Sequence, residues 1–204
     1  MVILVTCFEP FGNDKENSSQ KAVELLPDKI EQHKITKLML PVSFSRSPEI
    51  LKRKCSELHP DVIIMTGQAA RGEVCLERRG VNMAASKGTD NDGFRASGEI
   101  IYPDAPPSIV SCFPVDELAS KLSAKGFPVR VSESAGTFVC NRLYYEALLN
   151  LSAISSLFIH IPLTPAQAKE RVKGKPSLPS VIAATVLSEV IYSCSQYKLP
   201  SIVG

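Results

Sequence analysis

The sequence has little excess charge and no long hydrophobic run. Its 23 basic and 21 acidic residues leave a formal net charge of +2 over 204 residues. So small an excess gives no electrostatic reason to expect nucleic acid or an anionic membrane surface as a partner. No apolar stretch approaches the ~20 residues of a membrane-spanning helix. The short apolar start at Met1 also lacks the basic leader of an export signal.

Motifs for metals and cofactors are missing as well. The six cysteines lie at positions 7, 55, 75, 112, 140 and 194, too far apart for a zinc knuckle or a CxxC pair. Three histidines are spread over positions 33, 59 and 160. The sequence contains no phosphate-binding loop, GxGxxG or HExxH. We therefore expect a protein without metal or cofactor, with reduced thiols, in the cytoplasm.

The chain does contain short apolar runs that alternate with helical patterns. Strands are predicted at Val2–Thr6, Lys37–Pro41, Val62–Thr66, Val129–Ser132 and Leu157–Ile161. Helices are predicted at Ser18–Leu26, Pro48–Leu58, Val115–Lys125, Phe138–Leu149 and Pro179–Tyr192. Continuous apolar runs are typical of strands buried on both faces, and the alternation predicts a largely parallel α/β sheet. The length and the 44% of apolar residues suit a single domain over residues 1–204.

Three segments add detail to this pattern. Glu73–Met83 mixes apolar and charged residues, and we interpret it as a strand that leaves the core with some side chains facing a site. Lys87–Ser108 is rich in glycine, proline and aspartate, which predicts a long loop with a hairpin around Asn91-Asp92-Gly93 and suggests a functional lid. The helix at Pro179–Tyr192 is apolar almost all round, which predicts burial in the core or against another subunit.

Cys140 is the leading candidate for chemistry. It follows the small-residue run from Ser134 to Thr137 and lies at the predicted start of a helix. Backbone N–H groups and the positive dipole end at a helix start favour a thiolate and an oxyanion. The other five cysteines lack this context, and we interpret them as structural thiols.

Two further residues could complete a catalytic set with Cys140. His160 lies at the end of an apolar strand that Pro162 terminates, where an imidazole could take the proton of a thiol. A neutral core histidine is the alternative reading. Glu77 lies in a charged cluster that is ordinarily solvated, but it could orient the imidazole.

Aromatic and small residues follow two of the predicted strands. Phe8 and Phe11 lie in a turn after the first strand, and Gly67, Gln68 and Ala69 follow the third. The aromatic pair could serve ordinary packing, or it could wall a pocket for a small flat ligand.

Taken together, these fragments resemble the pyroglutamyl peptidase type I (pyrrolidone-carboxylate peptidase) family. They occur in the family's order over nearly the whole chain, and the stretch around Cys140 is the most specific. The matching runs are TCFEPFG from Thr6, GQA from Gly67, Glu77-Arg78 with Asn82, Asp90-Asn91 with Gly93, SAGTFVCN from Ser134 and FIHIP from Phe158.

The resemblance implies a cysteine exopeptidase that hydrolyses the amide after an N-terminal 5-oxoproline. By motif match, Cys140 is the nucleophile, His160 the general base and then acid, and Glu77 the residue that orients His160. The resemblance also implies a three-layer α/β/α sandwich around a mostly parallel twisted sheet, a cytosolic homotetramer, and no metal or cofactor. In such a site Phe8, Phe11 and Phe138 would wall the pyroglutamyl ring, and backbone near Asn17 and Gln68 would read the lactam.

Several positions depart from the family pattern. Cys7 and Asn13 stand where glycine is usual, and Ser18 stands where proline is usual. The stretch between Gly67 and Glu77 is one residue shorter. Lys87 replaces an arginine that is common close to the active site, and we expect it to hold the oxyanion region less rigidly than arginine would.

Two other functions remain open from the sequence. A glutamine amidotransferase also uses cysteine, histidine and glutamate, but its nucleophile lies on a Gly-x-Cys-x-Gly elbow, whereas Val139 and Asn141 flank Cys140. A ligand-binding relative that lost activity through the Lys87 and loop changes is the non-enzymatic reading.

Overall fold

A mostly parallel β-sheet organises the molecule. The computed structural model describes residues 1–171, 176–194 and 196–197. The strands found there are β1 Val2–Phe8, β2 Lys29–Ile30, β3 His33–Leu40, β4 Val62–Ala69, β5 Val74–Glu77, β6 Arg79–Val81, β7 Met83–Ala85, β8 Ser97–Ile100, β9 Ser108–Val110, β10 Val129–Ser132 and β11 Ser155–Pro162. In this part of the chain the main sheet has seven strands in the order β10-β5-β11-β4-β1-β3-β2, while β6 pairs with β9 and β7 with β8.

Helices cover both faces of this sheet. They are α1 Ser18–Glu24, α2 Arg46–Leu58, α3 Val115–Ala124, α4 Val139–Asn150, α5 Pro165–Arg171 and α6 Ser180–Ser193. Apolar side chains of α1, α3 and α6 form one core with the sheet, and those of α2 and α4 form a second core on the other face. The predicted α/β/α sandwich is therefore confirmed.

The strand directions bring the candidate residues to one region. β4 runs parallel to β1 and β11, and β10 runs parallel to β5, whereas β5 and β11 are antiparallel. The register pairs His160 of β11 with Gly67 of β4 on one side and with Cys75 of β5 on the other. Phe158 of β11 is paired in turn with Glu77 of β5. The ends of β4, β5 and β11 thus meet around His160.

The reading of Glu73–Met83 as a strand that leaves the core was wrong for its first half. β5 is an inner strand of the main sheet, and all of its residues are buried. Its charged residue, Glu77, tolerates this position because His160 and Arg71 supply polar partners. The second half does leave the sheet, as β6 and β7.

The predicted hairpin within Lys87–Ser108 is confirmed, although the segment is less of a loop than expected. β7 and β8 pair in antiparallel fashion on either side of residues 86–96. Within that connection the Asp90 N–H donates to the Phe94 carbonyl over 2.8 Å. The segment also contains β8 itself, and its last residue begins β9.

Two further differences between the predicted and the observed elements concern the start of β3 and the helix α5. β3 begins earlier than predicted, and its first residue, His33, is buried. The short helix α5 was not predicted. Its start carries a capping pair, because Thr164 Oγ1 accepts from the Gln167 N–H while Gln167 Oε1 accepts from the Thr164 N–H.

Candidate active site

Cys140 lies in the first turn of α4, as the sequence predicted. The approach to this helix needs Gly136, whose φ of +84° is in the left-handed region that residues with a Cβ avoid. The first N–H groups of a helix have no carbonyl partner within the helix, so the groups around Cys140 can donate to an oxyanion.

The helix start does not by itself produce a thiolate at Cys140. Burial, and next the negative charge of Glu77, raise the pKa of this thiol to about 12. Desolvation therefore outweighs the helix dipole that the sequence suggested would favour the thiolate. The resting form at neutral pH is the thiol, and a base must remove its proton during the reaction.

His160 lines the same cavity as Cys140 and is the candidate for that base. It is 5% exposed, and its ring packs against that of Phe158 with the centroids 4.9 Å apart. Its Nδ1 is 2.7 Å from Glu77 Oε1. With Nδ1–H donating to the carboxylate, Nε2 is left as the proton acceptor. The carboxylate also stabilises the imidazolium that forms when Nε2 takes a proton.

Arg71 is a member of this network that the sequence analysis missed. Its Nη1 donates to Glu77 Oε1 over 3.0 Å and to Ser132 Oγ over 2.9 Å. The same carboxylate oxygen thus receives both the guanidinium and the imidazole. Arg71 lies in the stretch between Gly67 and Glu77, and it places a cation beside the Glu77 carboxylate. Its sequence context, Ala70-Arg71-Gly72, resembles any solvated loop and carried no signal.

Gly67 allows the Cys140 side chain to approach the sheet. A Cβ at this position would lie 2.8 Å from Cys140 Sγ and 2.9 Å from Phe158 Cζ. Contacts this short do not occur between real Cβ atoms and their neighbours. Only glycine lets Cys140 lie against β4 beside His160, and the residues next to Gly67 in sequence give no sign of this contact.

Asn141 fixes the start of α4 to the neighbouring strands. Its Oδ1 accepts from the Val81 N–H, and its Nδ2 donates to the carbonyls of Val81 and Met83, at 2.8 to 3.0 Å. The side chain is fully buried. Because Asn141 adjoins Cys140 in sequence, these three hydrogen bonds also limit the movement of Cys140.

A cavity with two lobes opens onto Cys140. The outer lobe has a volume of about 1010 Å³ and is lined by Phe11, Gln68, Ala85, Ser86, Lys87, Gly88, Arg95, Ala96, Ser97, Ala135, Gly136, Thr137, Phe138, Cys140 and His160. The inner lobe has a volume of about 90 Å³ and is lined by Phe8, Phe11, Asn17, Val42, Gln68, Phe138, Val139 and Cys140. Cys140 borders both lobes, whereas His160 borders only the outer one.

The six residues predicted to bind substrate all line this cavity. Phe8 lies in the inner lobe, Lys87 in the outer lobe, and Phe11 and Phe138 between the two, with their ring centroids 5.2 Å apart. Three aromatic rings thus surround the inner lobe, and no charged residue lines it within the described part of the chain.

The amides of Asn17 and Gln68 already have protein partners. Asn17 Oδ1 accepts from the Ser19 N–H and caps α1, and its Nδ2 donates to the Glu9 carbonyl. Gln68 Oε1 accepts from the Ser18 N–H. These two side chains therefore form the floor of the inner lobe with fixed orientations.

No group of three or more His, Cys, Asp or Glu side chains that could hold a metal ion is found within residues 1–171, 176–194 and 196–197. In the same ranges, no helix is long and apolar enough to span a membrane.

Cys7, the first of the departures from the family, is buried, and burial raises the pKa of its thiol to about 12. Cys7 is thus a structural thiol in the core.

Comparison with known proteins identifies relatives over nearly the whole chain. The family model for pyroglutamyl peptidase matches residues 1–196. The pyrrolidone-carboxylate peptidase of Staphylococcus saprophyticus is 37% identical over 191 residues, which cover 91% of this chain and 88% of that protein. That of Thermococcus kodakarensis is 37% identical over 89% of this chain and 90% of its own length.

Solved structures agree with this assignment. The fold superimposes on the crystal structure of Bacillus amyloliquefaciens pyroglutamyl peptidase I with a TM-score of 0.90, at 31% identity, over 96% of this chain and 97% of the other. A mutant pyrrolidone carboxyl peptidase from Pyrococcus furiosus gives a TM-score of 0.90 at 32% identity, over 96% and 99%. The chain, with its cysteine, histidine and glutamate gathered at the end of β4, belongs to the pyroglutamyl peptidase family.

Proposed function

We propose that this protein hydrolyses the amide bond after an N-terminal pyroglutamate, through a thioester on Cys140. The observation that carries the proposal is the meeting of Cys140, the hydrogen-bonded pair His160–Glu77 and a small aromatic-walled lobe in one cavity. Nucleophile, base and orienting carboxylate are the three roles that acyl transfer requires.

In the first step His160 Nε2 takes the proton of the Cys140 thiol as the sulphur attacks the pyroglutamyl carbonyl. The S–C bond forms, and the carbonyl oxygen becomes an oxyanion. N–H groups in the first turn of α4 stabilise that charge. Coupling proton removal to attack suits a thiol with a pKa of about 12, because no free thiolate has to accumulate beforehand.

In the second step the tetrahedral intermediate collapses. The imidazolium of His160 gives its proton to the leaving nitrogen, the C–N bond breaks, and the shortened peptide departs with a free amine. Water then loses a proton to His160 and attacks the thioester. The C–S bond breaks, pyroglutamate leaves, and the thiol regains its proton from His160.

Glu77 and Arg71 act through His160. Glu77 holds Nδ1 and stabilises the imidazolium in both steps, as the third member of such sets does. The carboxylate is fully buried, and a buried charge is costly without partners. Arg71 supplies a second polar partner on the same oxygen and so offsets part of the cost of burying the carboxylate.

The inner lobe favours a neutral, flat acyl group. Phe8, Phe11 and Phe138 suit the faces of the pyroglutamyl ring, and backbone near Asn17 and Gln68 is available for the lactam. A free N-terminal ammonium would lose its hydration there without gaining a counter-ion. The lobe therefore selects the cyclised residue over glutamine, glutamate or proline at the N-terminus.

Two other readings of the sequence fare worse. The Cys140 helix start lacks the glycines of an amidotransferase elbow. An inactive relative would need a broken site, yet His160 Nδ1 is 2.7 Å from Glu77 Oε1, and Arg71 donates to the same oxygen. Lys87, which lines the outer lobe, keeps positive charge near the reaction centre.

We further propose that the protein acts in the cytoplasm as a homotetramer. The inner face of α6 packs into the core, while Val181 and Ile182 on its outer face are exposed. Exposed aliphatic side chains on one helix face are suited to a subunit contact.

The proposed activity is tested with chromogenic anilides. The protein should release p-nitroaniline from the pyroglutamyl anilide but not from the prolyl, glutaminyl or glutamyl anilides. Prolyl anilide is the sharpest control, since it keeps the ring but carries an ammonium in place of the lactam. Equal release from all four, or none from the pyroglutamyl compound, would refute the proposal.

A further inference from the structure

The two lobes of the cavity differ in charge. Within the described residues the inner lobe has no charged lining residue, and the outer lobe is lined by Lys87 and Arg95 but by no aspartate or glutamate. The acyl half of a substrate and its leaving half therefore meet different environments.

His160 identifies which half of the substrate the outer lobe receives. It borders the outer lobe and not the inner one. As general acid it must reach the leaving nitrogen, so the residues that follow the scissile bond extend into the outer lobe. The inner lobe, on the other side of Cys140, is left for the pyroglutamyl ring.

Lys87 and Arg95 belong to the two arms of the β7–β8 hairpin. Lys87 follows β7 and Arg95 precedes β8, and both are exposed. Neither forms a salt bridge within the part of the chain that the structure describes. Arginine offers a planar fork of donors that matches a carboxylate, and lysine adds a flexible point charge.

The acidic side chains of the same hairpin already have partners. Asp90 accepts hydrogen bonds from the N–H groups of Phe44, Asp92 and Phe94. Asp92 forms an ion pair with Arg46, in which Nε is 2.9 Å from Oδ2. Glu99, on β8, accepts hydrogen bonds from the N–H and the hydroxyl group of Ser97. Within the described residues, none of these three acids forms a salt bridge with Lys87 or Arg95.

We propose that the outer lobe selects pyroglutamyl peptides with a carboxylate close to the scissile bond on the leaving side, and that Arg95 together with Lys87 binds it. This inference rests on the proposed function and adds the class of leaving group. The carboxylate has two sources, the free terminus of a pyroglutamyl dipeptide and the side chain of an aspartate or glutamate that follows pyroglutamate.

Two matched substrate pairs separate these sources. Pyroglutamyl-alanine against pyroglutamyl-alanine amide tests the terminal carboxylate. Pyroglutamyl-glutamate amide against pyroglutamyl-glutamine amide tests the side chain. For each pair the readout is the ratio of kcat/KM for the acidic peptide to kcat/KM for the neutral one. We expect a ratio of about two- to fivefold at low salt in at least one pair, the range of an exposed ion pair.

Substitutions in the hairpin and measurements at high salt test whether Lys87 and Arg95 cause the preference for the acidic peptide. The ratio should fall in Arg95→Gln, approach one in the double variant Lys87→Gln/Arg95→Gln, and decline in 1 M salt, where charges are screened beyond about 3 Å. Arg53→Gln is the matched control, because it removes one exposed cation from α2, outside the cavity lining. Its ratio should equal that of the unmodified protein.

A binding measurement separates this inference from the proposed function. Calorimetry with Cys140→Ala should show the same acidic preference without turnover, and the preference should disappear when the two hairpin substitutions are added. A preference in binding without hydrolysis by the unmodified protein would refute the proposed function and support the inference. Ratios of one in both pairs, or a preference that survives the double variant, would overturn the inference.

Discussion

Replacing Gly67 by alanine inserts a methyl group between the sulphur of Cys140 and strand β4. The new Cβ would lie 2.8 Å from Cys140 Sγ, and 2.9 and 3.2 Å from two atoms of the Phe158 ring. Phe158 cannot retreat easily, because it is fully buried between Tyr144 and the His160 ring, at centroid distances of 5.7 and 4.9 Å. The sulphur, the phenyl ring or the strand must therefore shift by several tenths of an ångström.

This shift has two measurable consequences. Overpacking a filled core costs about 1–3 kcal/mol in the free energy of unfolding. A misplacement of about 1 Å in an active site can cost on the order of 10²-fold in rate, so we expect kcat to fall by about ten- to a hundredfold. The fall in kcat should exceed what a fold-only defect would produce, since the contact involves both Cys140 and the ring that packs on His160.

The assay is kcat on the pyroglutamyl anilide, together with urea unfolding. Gly72→Ala is the control, because the neighbours given for its Cβ are two atoms of Pro176, at an ordinary 3.4 and 3.8 Å, and none belongs to Cys140. The kcat and the free energy of unfolding of Gly72→Ala should stay close to those of the unmodified protein. Full activity of Gly67→Ala with unchanged stability would show that Cys140 does not lie against β4.

Three further predictions follow from the site and the surface. Glu77→Gln should lower kcat by more than it changes KM, because the amide cannot stabilise the imidazolium; a change in KM alone would make Glu77 a binding residue. Inactivation by iodoacetamide should accelerate with pH past the ordinary cysteine pKa of about 8.5, because burial raises the pKa of Cys140 to about 12; a rate that levels off near neutrality would indicate a preformed thiolate. Light scattering at micromolar concentration should give a tetramer, and a strict monomer would count against the role of α6 in assembly.

The architecture and two of the three catalytic candidates were accessible from local sequence signals. Apolar runs and helical periodicity located most strands of the main sheet and five of the six described helices, because these elements bury their own side chains in a pattern that the sequence displays. Cys140 and His160 stood out because a small-residue run precedes one and a proline ends the strand of the other. Both signals come from residues adjacent in sequence, which remain neighbours in the folded protein.

Glu77 and Arg71 show where sequence reasoning ends. Both lie in charged or polar surroundings that are ordinarily solvated, and nothing nearby in sequence indicates burial. Glu77 is buried because its partner His160 arrives on β11 from far along the chain. The role of Glu77 follows only from the family resemblance, and Arg71 was not predicted. Contacts between residues far apart in sequence produce no periodic pattern that the sequence could display.

The most direct test of the account is turnover of the pyroglutamyl anilide by single-cysteine variants. Cys140→Ala should abolish turnover while the unfolding midpoint stays close to that of the unmodified protein. Cys112→Ala is the matched control, since Cys112 is an exposed free thiol outside the cavity lining, and it should retain full activity. Measurable turnover by Cys140→Ala, or loss of turnover in Cys112→Ala, would contradict the assignment of Cys140 as the nucleophile.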